Sequence, residues 1–266
     1  MIQLLPLPSR HMSIALRKTL QNQNTVPQRS FGPFLLLQAL PWLILAAAMR
    51  VLAATGSGPP VVFEIIVASL AVLQAFLATA QHAIDIAGGD SRLGEFDAVQ
   101  QYRLSRAVLW RLALMMVAAA VVLALAGFAD VVPYVLGGID GMAFDHLSTP
   151  GKFWSAAVAA LVLLILVHAG QNNGKVALFA AMGELARRWF WLGLAAAALG
   201  IAYLGLGFIQ GFVRGAIWNF WQISDASQFI KNLVYFVFIF GFAMLRLWMT
   251  LLILTFGLKQ SYLAGD

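Results

Sequence analysis

Six apolar stretches, at residues 33–54, 61–83, 107–128, 153–170, 189–212 and 232–257, take up most of this chain. A bilayer's hydrocarbon layer of roughly 30 Å is crossed by about 20 apolar residues of α-helix. Water-free lipid leaves helices or closed barrels as the only spanning forms, because each backbone polar group must find its partner inside the protein. The pattern therefore predicts an all-α integral membrane protein, a bundle of six transmembrane helices with short loops. Charged residues make up only 11% of the chain, far below the roughly 25% of soluble domains.

Charge placement orients the bundle. Arg10, Arg17, Lys18 and Arg29 precede span one, Arg92, Arg103 and Arg106 lie between spans two and three, Lys175, Arg187 and Arg188 between four and five, and Lys259 follows span six. The opposite connections carry only Lys152, Arg214 and Lys231, with Asp130, Asp140, Asp145 and Asp225 beside them. By the positive-inside rule, both termini are expected in the cytoplasm of a cell inner membrane. Residues 1–32 then form a basic cytoplasmic segment, 33–258 the transmembrane domain and 259–266 a short tail. The N-terminal segment does not read as a secretory signal, since Pro6, Pro8, Arg10, Arg17 and Lys18 interrupt any apolar core.

The connections differ in character. Residues 55–60, Thr-Gly-Ser-Gly-Pro-Pro, predict a tight hairpin between spans one and two. Residues 129–152 read as an irregular outer loop holding one short helix. Residues 213–231 carry Trp218, Phe220 and Trp221 among polar neighbours and suit an interfacial piece, where amphipathic rings favour the water boundary. Lys175 to Arg188 reads as an amphipathic helix running into span five.

Packing in lipid depends on close backbone approach. Gly207, Gly211 and Gly215, spaced four apart on span five, are expected to form a helix-packing face within the monomer, with self-association the minor alternative. Ser155, Ala156, Ala159 and Ala160 offer a second small surface on span four.

Ionisable groups inside spans face other helices or water and are functional candidates. Arg246 lies about 14 residues into span six, with Gln74 at similar depth in span two; Arg246 is either a substrate or gating contact for transport or a structural arginine bonded to carbonyls and to an amide such as Gln74. Arg50 and Glu64 flank the first hairpin and are expected to make a structural ion pair. Asp85 and Arg111 could pair near the inner boundary. His82 and His168 fall at comparable depth and could supply paired axial ligands to a b-type haem.

No P-loop, HExxH, dinucleotide fingerprint or nucleophile elbow is present, and there is no cysteine. No catalytic residue, metal site or resident cofactor is therefore predicted. The basic residues serve membrane orientation, so the expected partners are the lipid bilayer and other membrane-protein subunits, not nucleic acid. The leading expectation is a non-catalytic membrane component or accessory subunit of a larger assembly. A permease-like transporter using Arg246 and Gln74 is the alternative, and a haem-bearing anchor using His82 and His168 comes third.

Overall fold

The computed structural model describes residues 38–87, 97–145, 148–172 and 174–264, so the basic segment 1–32 lies outside the described residues. Those described are helical almost throughout, with no strand among them. Eight α-helices follow in chain order: α1 (Leu40–Thr55), α2 (Pro59–Ala87), α3 (Ala98–Leu125), α4 (Val132–Leu136), α5 (Thr149–Gln171), α6 (Leu178–Arg187), α7 (Trp189–Ile223) and α8 (Gln228–Ala264). Five of them, α2, α3, α5, α7 and α8, are long and apolar enough to cross a membrane. Helix α1 is apolar but has 16 residues in its described part, and the apolar run predicted from residue 33 begins outside the described residues.

Local chemistry sets the helix ends. Helices α1 and α2 turn at Gly58, whose φ of 78° suits a residue without a Cβ. Asp97 caps α3, accepting from the Gln100 backbone N–H at 2.7 Å while its own N–H donates to the Gln100 side chain at 3.1 Å. Ser148 caps α5, and Pro150 occupies its first turn, where no intrahelical donor is missed. Arg188, outside the helical angles, separates α6 from α7.

Helix α5 is the centre of the bundle. In its most apolar window 78% of the residues are buried, against 22% for α3, which lies at the edge. Helix α5 packs chiefly on α7, α7 on α8, α8 on α2, and α2 on both α1 and α3. Ala156, Ala159, Ala160, Leu163 and Leu164 of α5 join Phe76 of α2, Leu199 of α7 and Leu247 of α8 in one continuous core. Gly200 lets the Phe153 ring lie against α7, and a Cβ there would collide with it.

Two expectations about connections change. Residues 213–231 are not an interfacial piece of their own: α7 continues to Ile223 and α8 starts at Gln228, so the turn is only four residues long. Lys231 and Trp221 staple it, each donating to the other's backbone carbonyl at 2.9 and 3.2 Å. The outer segment after α3 has its short helix, α4, but much of it is buried, and it builds the site described next.

Candidate functional site

Between α4 and α5 the chain folds inward. Residues Asp140–Met142 form a 3-10 turn, and Ile139, Gly141, Met142 and Ala143 are buried. Two α5 side chains hold this loop: Trp154 Nε1 donates to the Val135 carbonyl at 3.0 Å, and Ser155 Oγ donates to that of Gly138 at 2.8 Å. Gly138 sits where any Cβ would meet the Trp154 indole at 2.7 Å. The Gly141 carbonyl accepts from Arg246 Nη1 at 3.2 Å, and Arg246 stands at the middle of α8, 18 residues from either end. Non-helical backbone thus reaches the mid-level of the longest helix, which a membrane tolerates only where protein or enclosed water surrounds it.

Five charges surround the loop. Arg246, 1% exposed, places Nη2 2.8 Å from Asp145 Oδ1 in an ion pair. Its guanidinium also lies 4.6 Å from the centre of the Tyr203 ring, a cation–π contact. The Tyr203 hydroxyl is 2.6 Å from Thr250 Oγ1, and Thr250 donates to the Arg246 carbonyl at 2.7 Å. Lys152 shares Asp145, with Nζ 2.9 Å from Oδ1. Further along the loop, Asp140 accepts from Ser69 Oγ at 3.3 Å and faces Arg50 Nε at 3.6 Å. Arg50 also lies over the Phe144 ring at 4.7 Å. Burying one charge alone is costly, so a low-dielectric interior favours this interlocked set of three cations and two carboxylates.

Several sequence expectations are corrected. Arg50 pairs with Asp140 and not with Glu64, because the inward loop interposes a carboxylate that sequence distance hides; Glu64 Oε2 is buried and has no hydrogen-bond partner among the described residues. Gln74 is buried, but Arg246 is held by Gly141, Asp145 and Tyr203 rather than by the amide. Of the three spaced glycines only Gly207 is a close approach, with a Cβ there colliding with Lys152 and Asp145. Gly211 and Gly215 are exposed, with nothing within 4 Å of an added Cβ, so among the described residues they form no packing face. The residues that sequence reasoning missed as a site are Asp140, Asp145, Lys152, Ser69 and Tyr203. A usable signal was present: residues 135–144, Val-Leu-Gly-Gly-Ile-Asp-Gly-Met-Ala-Phe, are too apolar for a loop in water.

A second network ties α5, α6, the α6–α7 junction and α8 at the opposite end. His168 Nε2 contacts Glu184, Arg188 Nε donates to Glu184 at 3.0 Å, and Arg188 Nη1 donates to Ser261 Oγ at 2.6 Å. The hydrogen bond with His168, helped by the charges of His168 and Arg188 and opposed by burial, holds the Glu184 carboxyl below the usual range. His168 is thus engaged with a carboxylate, whereas the side chains of His82 and Asp85 lie outside the described residues. Arg111 turns back onto the Ala107 carbonyl at 3.2 Å. Among the described residues no three potential ligands gather as a metal site.

Long apolar helices around an inserted loop with buried charges are the architecture of a helical membrane protein. No protein-family model, curated protein or solved structure matches the chain.

Proposed function

We propose that the chain is a six-span protein of a bacterial-type inner membrane, both termini cytoplasmic, acting as a non-catalytic component or accessory subunit of a larger assembly. Helix α1 belongs to the sixth crossing, and the eleven-to-three division of basic residues between the two sides supports the orientation. One observation carries the non-catalytic reading: the buried charges answer one another, with Asp145 shared between Arg246 and Lys152. These contacts fasten loop to helices and do not converge on open space.

Extraction in mild detergent followed by mass spectrometry of the purified complex tests this. Stoichiometric protein partners are the expected result, and a lone monomer from every detergent tried would sink the subunit role.

The inward loop favours a second reading, transport, because backbone and charge at mid-helix level are where solute contacts form in transporters. Under that reading Arg246→Ala abolishes a measurable flux while folding and abundance are unchanged. An Arg246→Ala protein that fails to fold speaks for the structural role.

A further inference from the structure

The edge helix α3 carries a charged and apolar lane that the bundle does not use. Leu104, Val108, Leu112, Met116 and Ala120, four apart, form its buried face. On the outward side Arg103 and Arg106 are both exposed, one turn apart, and with Ala107 and Trp110 they line an open surface cavity of about 380 Å³. Among the described residues neither arginine is in an ion pair.

From that cavity the same face runs on through Trp110, Leu114, Val117 and Val121, spaced by four, three and four residues and exposed by 67, 56, 51 and 52%. Residues so spaced stack along one side of a helix. At 1.5 Å per residue the lane from Trp110 to Val121 is about 17 Å long. One leaflet of hydrocarbon is about 15 Å deep, half the usual core. The charged end therefore falls at headgroup level when the apolar end reaches mid-bilayer.

We infer that α3 binds a single anionic phospholipid, its phosphate between the Arg103 and Arg106 guanidiniums and an acyl chain along Trp110, Leu114, Val117 and Val121. Guanidinium forks match phosphate oxygens in geometry and charge. Trp110 sits where an indole is favoured, between headgroup and chain. A zwitterionic lipid offers the same chain but cancels the phosphate charge with its own amine. Specificity for net-negative headgroups follows from the two cations.

Native mass spectrometry of the full chain tests this, using phosphatidylglycerol and phosphatidylethanolamine in equal amounts. Preferential retention of phosphatidylglycerol is expected, and equal retention of both overturns the inference. In R103Q/R106Q the preference falls by about tenfold or more, the order expected for two cations at a membrane surface. R187Q, which removes an exposed arginine from α6, keeps the preference, and an equal loss there reduces the effect to general surface charge and overturns the site. The wild-type comparison stands even if the double variant folds poorly. Inorganic phosphate added to protein in phosphatidylcholine vesicles separates the sources: unchanged thermal stability agrees with a lipid site, and stabilisation equal to that by phosphatidylglycerol assigns the arginines to a free anion.

Discussion

Arg246 is held by three unlike groups: the Asp145 carboxylate, the Gly141 carbonyl and the face of Tyr203. Replacing it with methionine leaves Asp145 buried against Lys152 alone and strands a carbonyl. Removing one partner of a buried pair costs about 3–5 kcal/mol, so Arg246→Met should be severely destabilised in reversible detergent unfolding. Removing the carboxylate as well, in Arg246→Met/Asp145→Leu, should cost less than the two single changes added together. Additive losses would mean that the pair is not coupled. At Tyr203, removal of the hydroxyl in Tyr203→Phe leaves the ring over Arg246 and loses the Thr250 contact, for about 1 kcal/mol in the same assay.

Helix α7 shows why a spacing motif and a packed face are different things. Gly207, Gly211 and Gly215 share a repeat, yet Asp145 and Lys152 approach only Gly207. Gly207→Ala should destabilise the fold, because the new methyl must displace a buried ion pair. Gly211→Ala and Gly215→Ala meet open space and should be neutral or stabilise by roughly 0.5–1 kcal/mol through backbone entropy. Equal loss at all three positions would point instead to a partner helix on the outer half of α7. Helix α6 depends on Glu184, whose carboxyl titrates below its unfolded value. Its contribution is therefore complete above the ordinary glutamate range and is lost as pH falls through the lower folded value. Protection factors of α6 amides, corrected for the intrinsic pH dependence of exchange, should fall on acidification, and Glu184→Gln should remove that fall.

At the scale of the molecule, α7 and α8, with 35 and 37 residues, outrun α5 with 23. Helix α5 can be short because the loop before it descends into the bundle. The six proposed crossings would put both ends of the chain on one side. Tags at residues 1 and 266 should both be inaccessible to membrane-impermeant reagents in intact cells, and labelling of either one contradicts the proposed topology.

Apolar run length and charge placement suffice for the helical class and for the approximate positions of the five long helices, because a bilayer imposes a length and a polarity on whatever crosses it. The hairpin at residues 55–60 was equally legible, since Gly and Pro restrict the backbone locally. The ends of α7 and α8 were not: residues 213–231 suggested a separate interfacial piece, whereas α7 continues through Arg214 and α8 begins before Lys231. Nor was the pairing of Arg50 with Asp140, residues 90 apart, or of Arg246 with Asp145, residues 101 apart. Sequence marked Arg246 as a buried charge needing an answer. Which carboxylate answers it depends on where a loop of small and apolar residues comes to rest among five helices, and only the packed structure decides that.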